Sequence, residues 1–176
     1  AKGKTCVGSG NLLMESVHVA HDAFVGNDCI IGNGTKLAGE IIIDDHAIIS
    51  ANVLMHQFCR VGGYTMVGGG TRFSQDIPPY TICAREPVAY CGLNLVGLRR
   101  RGFSNELIEN IHNTYRIIYQ GGVPLNEALQ KVREEVPASP EINYIIEFIE
   151  NSKRGICPLN IIKSQWYTVL PLSLMK

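Results

Sequence analysis

Val25-Gly-Asn-Asp-Cys29-Ile-Ile31-Gly-Asn-Gly-Thr35-Lys-Leu37-Ala-Gly39-Glu-Ile-Ile-Ile43 decides the fold, because an aliphatic residue returns at every sixth position. The spacing holds well beyond this stretch. Upstream it takes in Val7, Leu13 and Val19, and downstream Ile49, Met55, Val61, Val67 and Phe73. An amphipathic helix needs a period near 3.6 and a half-buried strand a period of 2, so a strict six suits neither. It suits a parallel β-helix assembled from hexapeptide repeats. In a chain that is 45% hydrophobic, such an unbroken run at one spacing would rarely arise by chance.

The other hexad positions agree. Small or compact residues follow the anchor, among them Gly8, Gly26, Gly32, Gly62 and Gly68. A second small or β-branched residue comes four places after it, as at Cys29, Thr35, Ile41, Ala47, Cys59 and Thr65. Two inward positions per hexad with a tight corner describe short flat strands joined by sharp turns. The glycine beside the anchor is expected to supply the positive φ of the corner.

Composition narrows the function classes. The 16 basic and 16 acidic residues of the 176 balance, so no overall field attracts nucleic acid or a membrane surface. No run approaches the roughly 20 apolar residues of a membrane span, and no signal peptide opens the sequence. Six cysteines without a Cys-x-x-Cys pair or zinc-ligand spacing, two of them at inward hexad positions, point to a reduced, cytoplasmic protein. The repeat is already running at Val7 with no capping unit before it. Coils upstream of residue 1 are therefore expected, together with an exposed apolar first coil.

Four regions follow. Residues 1–80 read as about four coils of β-helix, closed by Pro78 and Pro79, which cannot donate ladder hydrogen bonds. Residues 81–103 read as a connecting loop with short extended pieces, ending in Arg99-Arg100-Arg101. Residues 104–157 read as an α-helical C-terminal domain. Ser104 is a plausible N-cap there, Gly121-Gly122 a stop, and Ser139-Pro140 a second start. Residues 158–176 form a tail of unassigned role.

Three hexads close a three-sided prism, so one coil is 18 residues and successive coils lie about 4.8 Å apart. His21, Gly39, Gln57 and Gln75 are 18 apart and should stack as one column at one corner. His18 lies just before His21, and His56 beside Gln57, so ionisable groups converge on this edge. The edge near His46 shows no such cluster in the sequence. His21 is the candidate general base. Asp22 follows it, although neighbours on a strand point to opposite faces, so another group could orient the ring. Gly39 lacks a side chain, so its amide could approach an oxyanion. Base and backbone donor suggest acyl transfer to a hydroxyl. A solvated surface histidine, a metal pair His18/His21, and corner roles for Asp22 and Gly39 stay open.

Asn11-Leu-Leu-Met-Glu-Ser-Val-His18-Val-Ala-His21-Asp22, Thr35-Lys-Leu-Ala-Gly39 and His56-Gln57-Phe58-Cys59 resemble the UDP-N-acetylglucosamine O-acyltransferases of lipid A biosynthesis. So do Gln75-Asp-Ile-Pro-Pro-Tyr80 and Gly97-Leu-Arg-Arg-Arg-Gly-Phe-Ser104. The likeness runs from residue 1 to about 157.

The resemblance implies a left-handed parallel β-helix that forms a homotrimer, with active sites in the clefts between subunits. It implies transfer of a 3-hydroxyacyl chain from acyl carrier protein to the 3-hydroxyl of UDP-N-acetylglucosamine, with no cofactor and no metal. By this likeness His21, Asp22 and Gly39 are catalytic. His18, His56 and Gln57 line the substrate cleft, while Asn94, Arg100 and Arg101 lie near the nucleotide. Gly69 matches the acyl-chain ruler, and a bare glycine there implies a long donor chain. Glu40 replaces a frequent histidine and Val96 a frequent acid. A UDP-3-O-acylglucosamine N-acyltransferase and a zinc-dependent trimeric enzyme of the γ-carbonic anhydrase kind are the alternatives.

Overall fold

In the computed structural model, which describes residues 3–159, each hexad becomes a two-residue strand followed by a four-residue turn. The first residue of each strand points outward and the second is the inward anchor. The strands stack into three parallel sheets, one per face of a prism. The first sheet holds β1 (Cys6–Val7), β4 (Phe24–Val25), β7 (Ile42–Ile43) and β10 (Arg60–Val61). The second holds β2 (Leu12–Leu13), β5 (Ile30–Ile31), β8 (Ile48–Ile49) and β11 (Met66–Val67). The third holds β3 (His18–Val19), β6 (Lys36–Leu37), β9 (Leu54–Met55) and β12 (Arg72–Phe73). Every pairing is offset by 18 residues, as in Val25 against Ile43 and Leu37 against Met55.

The anchors make the core. Val25, Ile31, Leu37, Ile43, Ile49, Val61 and Val67 are 0% exposed, each burial contributing roughly 1.5–3 kcal/mol. In the first coil Val7 and Leu13 are 45% and 41% exposed, which agrees with the expected apolar first coil.

The corners differ from the expectation. Positive φ falls not beside the anchor but three residues after it, at Ser16, Asp22, Asp28, Glu40, His46, Asn52, Phe58 and Tyr64, with Gly10, Gly34 and Gly70 in the same series. From Asp28 onward, non-glycine residues tolerate this strained region because each turn is tied to the coil before it. The Glu40, Asn52 and Tyr64 amides donate to the carbonyls of His21, Asn33 and Asp45 at 3.0, 2.9 and 3.1 Å. The glycines beside the anchors answer a different need, close stacking. A Cβ on Gly32 would lie 2.5 Å from the Ala51 nitrogen, and one on Gly62 2.5 Å from the Pro79 nitrogen.

Pro78 and Pro79 do not end the ladder. Ile77 bridges Val61, the prolines occupy the next corner, and pairing resumes at β13 (Thr81–Ala84) beside β11. A corner needs no ladder donor there, and the Thr65 and Thr81 hydroxyls both donate to the Pro78 carbonyl. β14 (Ala89–Leu93) folds back antiparallel on β13. The expected connecting loop thus contains a hairpin and a short helix, α1 (Leu95–Arg100), which carries the basic run. Its N-cap, Asn94, supplies a start signal that the arginines obscured.

Three further helices follow: α2 (Asn105–Gln120), α3 (Leu125–Glu135) and α4 (Pro140–Glu150). Ser104 and Ser139 cap α2 and α4 by accepting from Leu107 and Ile142 amides at 3.1 and 3.2 Å. α4 packs against the first sheet, where the Tyr144 hydroxyl accepts from the Gly63 amide at 2.8 Å and donates to Asp44 at 2.6 Å. The Tyr115 hydroxyl on α2 donates to the Pro79 carbonyl. The reading of the tail beyond 159 lies outside the described residues.

Candidate active site

The corner between the third and first sheets carries the predicted column. Glu40 donates to the His21 carbonyl and Phe58 to the Gly39 carbonyl, so His21, Gly39 and Gln57 stand one above another. Gln75 does not continue the stack. Beyond it the Asp76 amide turns to the Gly155 carbonyl, because the C-terminal segment takes over pairing there.

His21 and Asp22 are brought together, contrary to the alternation expected on a strand. They sit in a turn where Asp22 has φ 58°, which swings its carboxylate beside the ring. His21 Nδ1 lies 2.8 Å from Asp22 Oδ2, with the histidine side chain 64% exposed and the aspartate side chain 1% exposed. A carboxylate can only accept, so Nδ1 carries a proton, and in the neutral ring Nε2 keeps its lone pair. The Lys4 amide approaches the other Asp22 oxygen at 3.4 Å.

The imidazole lies over Gly39. A Cβ built there would fall 2.6 Å from both Cε1 and Nε2, so only glycine leaves room for the ring. At the matching position of the corner between the first and second sheets, side chains satisfy the backbone amides. Ser9 donates to Asn27, Asn27 to Asp45 and Gly63 to Tyr144. Among the described residues the Gly39 amide makes no hydrogen bond. A basic nitrogen and an unspent backbone donor therefore occupy one small space.

The outward face of the third sheet forms a groove of about 670 Å³, lined by His18, Lys36, Leu54, His56, Arg72 and Glu86 among others. On the side of the His21 corner its lining ends at Ala38 and Ser74, the residues before Gly39 and Gln75. His56 Nδ1 donates to the Gln57 carbonyl at 2.9 Å, which leaves its Nε2 as an acceptor. Gly69 lies at the opposite edge of this face, exposed, with Ala51 and Ser50 as its nearest neighbours.

Asn94 and Arg101 are placed elsewhere, at the corner between the first and second sheets, and Arg100 is the exposed last residue of α1. Asn94 Oδ1 caps α1 by accepting from the Gly97 amide at 3.2 Å, and its Nδ2 donates to the Tyr64 carbonyl at 2.9 Å. Arg101 then reaches His46, Nη1 to Nδ1 at 2.8 Å, with its guanidinium 5.7 Å from the centre of the Tyr64 ring. The His46 edge, which looked empty in the sequence, carries a cluster of its own. Its second half comes from α1, 55 positions away, where no repeat spacing points. Among the described residues no three His, Cys, Asp or Glu side chains form a group that could hold a metal ion.

A three-sided hexapeptide coil with an oriented histidine at one corner and a helical region after it defines a solenoid of the hexapeptide-repeat acyltransferase superfamily. Residues 76–157 match the family model described as UDP N-acetylglucosamine O-acyltransferase, domain 2. The acyl-[acyl-carrier-protein]–UDP-N-acetylglucosamine O-acyltransferase of Aliivibrio salmonicida is 40% identical over 155 residues, 88% of this chain and 59% of that protein. The crystal structure of the UDP-N-acetylglucosamine acyltransferase from Bacteroides fragilis is 73% identical with a TM-score of 0.81, covering 83% of this chain and 57% of that one. The enzyme from Francisella novicida is 35% identical with a TM-score of 0.85, over 89% and 58%. The chain belongs to the UDP-N-acetylglucosamine O-acyltransferase family. It spans about three fifths of the length of these relatives.

Proposed function

We propose that this protein transfers a 3-hydroxyacyl chain from acyl carrier protein to the 3-hydroxyl of UDP-N-acetylglucosamine. The observation that carries the proposal is the His21 corner: Nδ1 held by a buried carboxylate and Nε2 over an unspent Gly39 amide. His21 Nε2 takes the proton from the sugar hydroxyl as that oxygen attacks the thioester carbonyl. The Gly39 amide stabilises the resulting oxyanion, and the C–S bond breaks as His21 returns the proton to the departing thiolate. Asp22 fixes the tautomer throughout.

His18, His56 and Gln57 line the path to this corner, and the groove along the third sheet takes the acyl-pantetheine arm. Gly69, bare at the far edge of that face, leaves space for a long chain. Arg100 and Arg101 hold the nucleotide phosphates in a forked grip, with Asn94 fixing the helix that presents them. Because His21 and Arg101 stand on the two edges bounding the first sheet, one copy supplies the base and a second the arginines. This arrangement suits a homotrimer acting in the cytoplasm. No helix among the described residues is long and apolar enough to cross a membrane.

An acyl-transfer assay offering 3-hydroxyacyl carrier proteins of several lengths with UDP-N-acetylglucosamine tests the reading. Product at the 3-oxygen, with long chains favoured and transfer weakening as salt rises, supports it. Exclusive use of a glucosamine amine as acceptor would replace it with the N-acyltransferase alternative, and dependence on stoichiometric zinc with the carbonic anhydrase one.

A further inference from the structure

We propose that His46 is a positioning residue for Arg101, holding the guanidinium at the nucleotide only while the imidazole is neutral. The inference rests on the functional reading above for its ligand, and on the contact itself for its mechanism. Arg101 follows the last turn of α1, and its side chain is exposed. A long exposed arginine has many rotamers, so a phosphate site built from it requires something to select one. Two neighbours, themselves in contact, do so here. Nη1 donates to His46 Nδ1 at 2.8 Å, Tyr64 lies under the guanidinium, and the His46 and Tyr64 rings pack with centroids 4.7 Å apart. One of five N–H donors is spent on His46 and the rest stay available for an oxyanion fork.

The acceptor in this contact is an imidazole nitrogen, so it must be unprotonated. Asp28 Oδ2 stands 3.7 Å from the same Nδ1. Once protonated, His46 repels the guanidinium and turns its new N–H to Asp28. The charged and titratable groups around it are Asp28 on the turn before β5, its neighbours Asp44 and Asp45, Arg60 on β10, Tyr64, Tyr144 on α4 and Arg101. Of these, Asp28 and Arg101 contend for one nitrogen, and the proton decides which has it. Nothing in the repeat pattern requires a histidine at this corner. The corresponding turn positions one coil before and after are Asp28 and Tyr64.

Two variants and two readouts test this. His46→Phe keeps a ring against Tyr64 but removes the acceptor, and His46→Gln keeps an acceptor that does not titrate. At about pH 8, His46→Phe is expected to raise the KM for UDP-N-acetylglucosamine roughly tenfold with kcat little changed, the worth of one charge-assisted hydrogen bond. His46→Gln should stay near wild type at about pH 8, and towards about pH 5.5 the KM of the wild type should rise while that of His46→Gln does not. Independently of substrate, NMR of the His46 ring at about pH 8 should show the Nδ1 resonance moving in Arg101→Met, because the hydrogen bond it accepts there is gone. Unchanged KM in His46→Phe, equal losses in both variants, or an Nδ1 resonance unmoved in Arg101→Met overturns the proposal. A moved Nδ1 resonance in Arg101→Met beside a wild type that neither binds nor turns over UDP-N-acetylglucosamine overturns the functional reading, and the nucleotide-positioning role falls with it.

Discussion

Gly39→Ala separates the geometry of the His21 corner from the stability of the coil. The added methyl would lie 2.6 Å from Cε1 and Nε2, whereas ordinary contacts begin at 3.4 Å, so the ring must retreat by about 0.8 Å. Nothing else opposes the substitution. Gly39 is not among the residues with positive φ, and alanine keeps the amide that the oxyanion would use. The imidazole is free to move because its side chain is 64% exposed. Folding stability should therefore change little, within the gain of about 0.4–1 kcal/mol that Gly→Ala can give through the unfolded chain.

Catalysis should suffer far more. A displacement approaching 1 Å of a group that must meet a reacting proton costs on the order of 10²-fold in rate, or about 2.7 kcal/mol in the barrier. The assay is steady-state acyl transfer, run beside thermal unfolding and repeated in a His21→Ala background. With the ring absent, the methyl has nothing to displace, so Gly39→Ala should cost little more there. Turnover within about twofold of wild type, or a full further loss in the His21→Ala background, would show that the ring's seat over Gly39 does not govern the reaction. Loss of activity only in step with unfolding would make Gly39 a backbone position and nothing else.

His21→Ala should lower turnover by roughly 10²–10⁴-fold with the fold intact by circular dichroism; near-normal turnover removes its role as base. Asp22→Asn keeps a residue that tolerates positive φ, yet its amide can donate to Nδ1 and leave Nε2 as the protonated nitrogen, so kcat should fall while the unfolding midpoint moves little. A loss confined to stability would make Asp22 only a turn residue. Cys91 is exposed, while Cys29, Cys59, Cys83 and Cys157 are buried and burial pushes the Cys59 thiol up to about 11. Alkylation of the native protein at neutral pH should accordingly label Cys91 and spare those four by mass spectrometry. Tyr144→Phe leaves the Gly63 amide and Asp44 without their shared partner and should cost roughly 1.5–3 kcal/mol by denaturant unfolding. Burial also raises the Asp44 carboxyl above its ordinary range, against the Tyr144 hydrogen bond and Arg60, which lower it. Its charge is thus better tolerated unfolded than folded. Wild-type stability relative to Asp44→Asn should be highest in acid and fall as pH rises through the raised range; the opposite trend would mean that Arg60 and Tyr144 overcome desolvation.

The coil was readable because a solenoid makes stacking a function of sequence distance. Once 18 residues equal one step along the axis, His21 and Gly39 must be neighbours on one edge, and the structure lays the ring over the glycine. What the spacing leaves open is what the repeat does not govern. Positive φ falls at a hexad position held by Ser, Asp, Glu, His, Asn, Phe and Tyr as well as glycine. No composition marks it, because the hydrogen bond to the preceding coil, not the side chain, makes it tolerable. The same left-handed corner brings Asp22 beside His21, where alternation predicted separation. Beyond Ile77 the ruler stops. The helices are legible from their caps, but where they land on the prism is decided by contacts such as Tyr144 with Asp44, 100 positions apart, and Arg101 with His46, 55 apart. A periodic scaffold thus makes its own edges predictable and leaves unpredictable whichever edge a non-repeating element completes. The His46 corner therefore had to be found in three dimensions, whereas the His21 corner could be counted.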